Sequence, residues 1–437
     1  MKWSKYNILF KSKKHGYLIY NTLTNALASI EPETYKLFEN LKNENLNIND
    51  INNNELKTQL VDAKFIVEND EVEFLKLKYA KQKIRFRDDW LGLTIAPTLH
   101  CNFACIYCFE KSRPPIYMTD NIEEALISFI KGKNPNNLKL TWYGGEPLMD
   151  FKRIKSITKK IKELDVGLHA KIISNGYLIT KKKVTQFEKL NIKSIQITLD
   201  GMRETHDNRR PLVNGKGTFD KIVENIGILK EYTNNDFNIY IRVNLDKSNE
   251  NEYNLLFKYL HKRFNFGKMN IYPGFVDDES NSCASTDNCY LDRQQKAKFK
   301  INLYKKHGIA GNNTFFPMTS QAECMARGTN SFLIDANGYI YKCWKDINVS
   351  EKRIGHLQED SLNENLLVKY NSGADPLEDE NCKNCIHFPI CGGGCTYYRL
   401  ENKFNNCNFD LCYDAKDNLA EYLELHAEIK NKKKNNK

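Results

Sequence analysis

The sequence predicts an α/β chain: a partial (βα)6 TIM-like barrel, preceded by a winged-helix-like α+β domain and followed by a cysteine-rich C-terminal domain. Three observations predict it. Six short runs rich in β-branched and aromatic residues alternate with helical patterns between residues 92 and 272. Their spacing of roughly 30 residues suits parallel strands, which need a crossover of about a dozen residues or more. The 13 cysteines stand at 101, 105 and 108, at 283 and 289, and eight times between 324 and 412, with none in 109–282. Residues before about 90 follow a different rhythm, a hairpin and then helices.

In chain order, Ile8–Phe10 and Tyr17–Tyr20 flank a turn at Lys14-His15-Gly16. Helical patterns follow over Pro32–Leu41 and Ile51–Ala63, separated by an Asn-rich loop, and Lys64–Val67 runs into a turn at Glu68-Asn69-Asp70. The barrel strands are expected at Gly92–Ala96, Leu138–Trp142, Ala170–Ser174, Ser194–Leu199, Asn238–Asn244 and Met269–Tyr272. The interleaved helices are expected at Asn121–Lys131, Phe151–Lys162, Lys181–Leu190, Phe219–Tyr232 and Asn251–Phe264. Further on, Phe332–Asp335 and Tyr339–Lys342 flank Asn337-Gly338, a type I′ hairpin signal. Helix returns over Asp414–Lys430. The division expected is 1–89, 90–280, a linker 281–319, 320–415, and a helix with a basic tail 416–437.

Composition narrows the class. Of 437 residues 41% are hydrophobic and 11% aromatic, which excludes global disorder. No run approaches about 18 apolar residues and the first residues form no signal peptide, so a cytoplasmic chain without membrane contact is expected. The net charge of +10 owes much to Lys430–Lys437, where five of eight residues are Lys; this reads as a solvated, frayed end, and nucleic acid is not an expected partner. Thiols in a reducing compartment serve metals or catalysis more often than disulfides.

The segment Cys101-Asn102-Phe103-Ala104-Cys105-Ile106-Tyr107-Cys108 follows the first barrel strand, at the strand end where barrel enzymes place their chemistry. Three thiolates so close surround one compact metal centre. A [4Fe–4S] cluster on three Cys leaves one iron open, and a partial zinc site is the alternative. Polar motifs end the next strands: Tyr143-Gly144-Gly145-Glu146-Pro147, then Ser174-Asn175-Gly176, then Asp200-Gly201, with Arg242 on the fifth strand. Singly these read as turns, and Asp200 as a helix cap. Together they face one cavity.

The CxxxCxxC spacing, with the aromatic Tyr107 before the last Cys, resembles the radical SAM superfamily. The resemblance implies a [4Fe–4S] cluster on Cys101, Cys105 and Cys108 with S-adenosylmethionine at the open iron. Gly144, Gly145 and Glu146 would hold its amino group by backbone and carboxylate, the glycines letting the backbone approach the ligand. Ser174 and Asn175 would contact its ribose and methionine moiety, Arg242 its carboxylate, and Tyr107 and Asp200 would complete the cofactor site. An electron from a donor such as flavodoxin or ferredoxin would cleave the sulfonium to a 5′-deoxyadenosyl radical, which abstracts hydrogen from carbon.

Cys382-Lys383-Asn384-Cys385, Cys391 and Cys395 form a second array, with Cys324 and Cys343 before it and Cys407 and Cys412 after. A zinc ribbon accounts for four such residues, not eight. The order resembles the SPASM extension of radical SAM enzymes, which implies two auxiliary [4Fe–4S] clusters and three in all. Cys382, Cys385, Cys391 and Cys412 would hold the outer one, with Cys407 competing for the last place; Cys324, Cys343 and Cys395 would hold the inner one. Where the fourth inner ligand usually stands this chain has Met318, so either Cys283 or Cys289 folds back or the inner cluster keeps an open iron. Gly392, Gly393 and Gly394 would let the backbone wrap closely around a cluster.

Enzymes of this kind mature ribosomally made peptides, so the implied partner is a precursor peptide whose leader adds a strand to the N-terminal, RRE-like domain. Thioether cross-linking is the expected reaction, because an open iron can take a substrate thiolate. Carbon–carbon cross-linking and epimerisation, with Cys289 as hydrogen donor, are alternatives. Anaerobic sulfatase maturation is a third, opposed by Trp344 where that branch carries Asp after the matching Cys, and by the N-terminal module. Outside enzymes, the alternative is a structural metal-binding peptide-recognition protein.

Overall fold

The computed structural model describes residues 1–110, 113–265, 267–277, 290–311, 314–319 and 323–435. Cys283 and Cys289 lie outside the described residues.

The N-terminal part opens with β1 (Lys2–Trp3) and an antiparallel sheet of β2 (Asn7–Ser12), β3 (Gly16–Asn21) and β4 (Leu27–Ile30) in that order. The helices α1 (Pro32–Lys42) and α2 (Asn54–Asp62) follow; β5 (Ile66–Val67) then pairs with β1, and α3 (Asp70–Arg85) ends the module. Phe38, Leu41, Ile48 and Leu60 close a small core against Ile19. Strand β4 and the sixteen residues of α3 go beyond the sequence expectation. The inner face of α3 buries Phe74 and Leu77 but also Lys81 and Arg85, and charges at those positions read as solvent-facing.

This module packs on the C-terminal region. Tyr20 joins Ile390, Leu419 and Leu423, and Phe74 and Leu77 join Leu377 and Phe388. The Arg85 guanidinium donates to both oxygens of Asp375 at 2.5 and 3.0 Å, and its Nη2 lies 3.7 Å from Glu323. Breaking one side of a buried pair strands the other charge, at a cost of about 3–5 kcal/mol. Arg85→Met is therefore expected to lower the urea midpoint and to open the α3 junction to limited proteolysis; an unchanged midpoint would show that the junction carries no such load.

The centre is a nine-stranded sheet. Six strands run parallel in chain order: β6 (Trp90–Ile95), β7 (Asn137–Trp142), β8 (Gly167–Ser174), β9 (Ile192–Thr198), β10 (Asn238–Leu245) and β11 (Met269–Phe275). The intervening helices are α4 (Asp120–Lys133), α5 (Phe151–Lys162), α6 (Lys181–Val184), α7 (Arg203–Arg209), α8 (Phe219–Tyr232) and α9 (Tyr253–Phe264). Helix α5 starts where Asp150 caps the Arg153 amide, and it buries Phe151, Ile154, Ile157 and Ile161 at helical spacing. The helix expected over 181–190 stops at Val184, and i→i−3 bonds from Gln186 and Phe187 take over.

The stretch expected as a linker carries α10 (Arg293–His307). The Asn337-Gly338 hairpin, β12 (Ser331–Ile334) and β13 (Tyr339–Tyr341), then joins the same sheet, β12 lying parallel to β6, and β14 (Gly355–His356) closes that edge. Short helices α11 (Glu364–Val368), α12 (Glu380–Lys383), α13 (Phe388–Cys391) and α14 (Thr396–Phe404) follow, with Cys382 in α12, Cys391 in α13 and Cys395 capping α14, and α15 (Leu419–Asn435) returns to β2. Among the described residues no helix is long and apolar enough to cross a membrane.

Along β8 and β10 every second side chain is buried under the helices, while the alternating ones, His169, Lys171, Tyr240 and Arg242 among them, are exposed or half-exposed on the opposite face. Parallel sheets are usually covered on both faces. Here one face opens on a cavity of about 930 Å³, bordered by many of the residues that the sequence singles out, the three cysteines of 101–108 among them.

Candidate active site and cysteine centres

Cys101, Cys105 and Cys108 line one wall of this cavity. Their loop is tied down by a short antiparallel ladder: Ala104 donates to Pro211 O at 2.8 Å, Ile106 to Arg209 O at 3.1 Å, and Val213 to Asn102 O at 3.1 Å. Burial, nearby Glu146 and the neighbouring thiols push the Cys101 thiol up to about 12; burial, Glu110 and Cys105 push Cys108 up to about 11. As ligands these sulfurs need a cationic centre to hold them ionised.

Gly144 and Gly145 border the same cavity. The protein side alone already requires glycine at both positions. A Cβ on Gly145 would stand 2.3 Å from His100 O, and one on Gly144, at φ +107°, 2.5 Å from Thr98 O. The turn is pressed onto the segment that leads into Cys101.

Glu146 departs from expectation. Its fully buried carboxylate accepts hydrogen bonds from Leu148 N (3.0 Å), Ser174 Oγ (2.8 Å) and Asn175 N (2.7 Å), and it does not border the cavity. Burial pushes its pKa up against the pull of those donors and of Lys183. The carboxylate ties the end of β7 to the end of β8, with three of its roughly four acceptor sites taken by protein donors. Ser174 and Asn175 do reach the cavity; Asn175 Nδ2 donates to Asn102 Oδ1 at 2.8 Å and lies 4.0 Å from Cys101 Sγ.

Asp200 is likewise behind the wall, neither ligand-facing nor a helix cap. It accepts from Tyr107 Oη at 2.5 Å and Asn244 N at 3.3 Å, with Arg209 Nε 3.5 Å away. Tyr107 is the residue that reaches the cavity, and its hydroxyl also accepts from Arg210 Nη1 (2.6 Å) and Asn244 Nδ2 (3.0 Å). Tyr107→Phe would leave those buried groups unpaired, at about 1–3 kcal/mol. The expected result is a lowered chemical-denaturation midpoint together with weaker S-adenosylmethionine binding; an unchanged midpoint would contradict the network. Arg242 borders the cavity with Nε donating to Asn244 Oδ1 at 2.7 Å.

Cys324, Cys343 and Cys395 line the same cavity. Burial, Asp346 and then Cys395 and Cys324 push the Cys343 thiol well up, so these three are electrostatic neighbours. The other set lies elsewhere: Cys382 senses Cys391, Tyr413 senses Cys391 and Cys385, and Lys416 senses Cys412 and Cys385, its Nζ 3.3 Å from Cys412 Sγ. Arg399 Nη1 stands 3.5 Å from Cys382 Sγ. Ten described cysteines carry free thiols, the three near the N-terminal half and these seven, whereas Cys407 is disulfide-bonded. Met318 is 60% exposed. Gly392–Gly394 are all left-handed, and a Cβ on Gly394 would stand 2.1 Å from Leu411 O, so backbone packing again explains the glycines. Among the described residues no three His, Cys, Asp or Glu side chains converge as one bound ion requires.

Sequence reasoning missed several cavity residues. Arg210 is buried beside Cys105 and Tyr107. Glu110 is buried with Oε2 unpartnered. Trp344 stacks on Tyr143 at 5.0 Å, its Nε1 donating to Thr94 Oγ1 at 3.1 Å. Lys139 and Lys171 also line the cavity; the only signal for them was strand alternation.

Residues 95–260 match the Radical SAM superfamily profile. The chain is 27% identical over 352 residues to a cysteine-type anaerobic sulfatase-maturating enzyme of Clostridium novyi, covering 74% of this chain and 92% of that protein. The solved structure of native anSMEcpe with bound AdoMet and Cp18Cys peptide superposes with TM-score 0.61 at 20% identity, covering 80% of this chain and 100% of that one. Streptococcus suis SuiB bound to precursor peptide SuiA superposes with TM-score 0.53 at 16% identity, covering 94% of this chain and 99% of that one.

Proposed function

We propose, from the premise that residues 95–260 form a radical SAM domain in an enzyme homologous to anaerobic sulfatase maturases, that this chain is a radical SAM/SPASM maturase of a ribosomally made peptide. The observation that carries the reading is one cavity bordered both by Cys101, Cys105 and Cys108 and by Cys324, Cys343 and Cys395. The six parallel strands serve as a partial (βα)6 barrel that presents the first trio at its strand ends.

The donor set suits iron–sulfur clusters: free thiols that share one cavity or sense one another, with Arg210, Arg399 and Lys416 as nearby cations. A [4Fe–4S] cluster on the first trio, with S-adenosylmethionine at its open iron, supplies one-electron sulfonium cleavage and hydrogen abstraction from carbon. Gly144, Gly145, Ser174, Asn175, Tyr107 and Arg242 border the space where that cofactor would lie; Glu146 and Asp200 position them from behind. Cys324, Cys343 and Cys395 would hold an inner auxiliary cluster facing substrate, and Cys382, Cys385, Cys391 and Cys412 an outer one. Electrons come from a flavodoxin or ferredoxin in a cytoplasmic setting.

The N-terminal module supplies a place for a leader peptide. Among the described residues strand β4 pairs only with β3, leaving an edge for an added strand, and α3 exposes Val72, Leu75 and Tyr79. SuiB's fold covers 94% of this chain against 80% for anSMEcpe, so this region too has a structural counterpart in a peptide-bound enzyme. Thioether formation is the expected reaction. Co-expression with the short open reading frames beside the gene, followed by mass spectrometry, tests it: a Cys-containing peptide should lose two hydrogen atoms and resist thiol alkylation, and an unmodified or merely epimerised peptide would overturn it. The sulfatase reading is weaker, because the residue that follows Cys343 and borders the cavity is Trp344, while Asp346, the carboxylate that acts on Cys343, is buried against the Tyr370 hydroxyl and does not border the cavity; a Cys-containing sulfatase peptide should therefore yield no formylglycine.

A further inference from the structure

Among the described residues three cations on the open sheet face have no acidic partner. Lys139 on β7, Lys171 on β8 and Arg242 on β10 all line the cavity. Thr141 lies opposite Lys171 in the β7–β8 register, so Lys139 and Lys171 are diagonal neighbours on one face. Burial and then Lys139 lower the Lys171 pKa, so these two ammonium groups sense each other. The carboxylates that border the cavity are engaged elsewhere: Glu110 with the Tyr143 side chain, Asp277 with Lys296 at 3.0 Å, and Glu323 with Lys81, Arg85 and Arg327. Among the described residues no acidic side chain pairs with Lys139, Lys171 or Arg242. The Lys139 ammonium stands 4.5 Å from the Trp90 ring centre, and Arg242 donates to the neutral Asn244 amide.

Position separates the lysines from the cofactor motifs. Lys139 precedes Gly144 by five residues and Lys171 precedes Asn175 by four. At the strand rise this is about 16 Å and about 13 Å down the sheet from the strand ends. Like charges gathered in one cavity repel, and a bound anion offsets that repulsion. A carboxylate, with two acceptor oxygens, suits two ammonium groups on the adjacent strands β7 and β8, whereas Arg242, paired with Thr198, stands at the level of the strand ends.

We propose that Lys139 and Lys171 form a subsite that receives a carboxylate of the peptide substrate. The inference rests on the peptide-maturase reading above. It makes the substrate acidic next to the modified residue, through either an Asp or Glu side chain or the peptide's C-terminus.

The test uses the anaerobic, cluster-loaded full chain with S-adenosylmethionine and three fluorine-labelled, N-acetylated hexapeptides that share a Cys. One has an internal Glu and an amidated end, one has Gln and an amidated end, and one has Gln and a free C-terminal carboxylate. Fluorine NMR reads their affinities. At least one carboxylate peptide should bind about tenfold or more tightly than the neutral one, the scale of one charge-assisted contact. Which one does so identifies the source of the carboxylate. In Lys139→Met/Lys171→Met the preference should vanish while S-adenosylmethionine affinity and its peptide-independent cleavage stay unchanged. Single K139Q and K171Q variants, each expected to lose part of the preference, serve if the double variant does not fold. Equal binding of all three peptides, no binding at millimolar peptide, or a preference that survives the substitutions would overturn the proposal. So would weakened S-adenosylmethionine binding in the variants, which would assign the cations to the cofactor. A wild-type chain that neither takes up iron nor cleaves S-adenosylmethionine would instead sink the maturase reading itself.

Discussion

Replacing Cys101, Cys105 and Cys108 together by Ala is expected to abolish 5′-deoxyadenosine formation. The same variant should keep its fold and about eight of about twelve irons, since each [4Fe–4S] cluster carries four. The two parts of the result are separable because the trio sits on a loop held by its own ladder to residues 209–213, whereas the other seven free cysteines lie in the C-terminal region. Anaerobic iron analysis and chromatography of the nucleoside product check both. Residual cleavage in the triple variant would remove the trio from the chemistry, and loss of all iron would show that the centres do not assemble independently.

Glu146→Ala is expected to have the largest effect on stability of any single substitution at the site. Three donors, from Leu148, Ser174 and Asn175, converge on a carboxylate that is 0% exposed, and the substitution leaves all of them without an acceptor. An unmet buried donor costs about 1–3 kcal/mol, and these act as one group, so a total loss of about 3–5 kcal/mol is expected. Glu146→Gln keeps the shape but turns an amide NH2 toward at least one of the same donors, so it should recover only part. Ser174→Ala, which removes one bond, should cost about 1 kcal/mol. Urea unfolding of the three variants gives the order. If Glu146→Ala unfolds like the wild type while S-adenosylmethionine binding disappears, the carboxylate acts on the cofactor directly and its latch role is wrong.

That revision shows where the sequence stops speaking. Tyr143–Pro147 was legible as a motif at a strand end, and its neighbours Gly144 and Gly145 do border the cavity. The direction of the Glu146 side chain depends on Ser174 and Asn175, whose placement beside it comes from β7–β8 pairing and not from local spacing. Asp200 is similar, because its partners Tyr107 and Arg209 arrive from two other loops. Periodicity set the bounds of α5 and α8 correctly, since each carries an uninterrupted apolar stripe. It failed for α3, where Lys81 and Arg85 are buried by ion pairing with residues more than two hundred positions away. The hairpin at Asn337-Gly338 was legible from its turn residues, but its union with β6 in one sheet was not. The grouping of the later cysteines followed from their order and a family resemblance. That three of them share a cavity with the first trio needed the fold.

The central claim is that two cysteine trios face one cavity and a further four cysteines hold a centre apart from it. Mössbauer quantitation of the anaerobically reconstituted full chain tests this most directly. The account predicts about twelve irons per chain, all in cubane clusters, with the spectrum of one cluster's share perturbed when S-adenosylmethionine is added. A chain that holds zinc in place of iron, or about four irons that ignore S-adenosylmethionine, would contradict it.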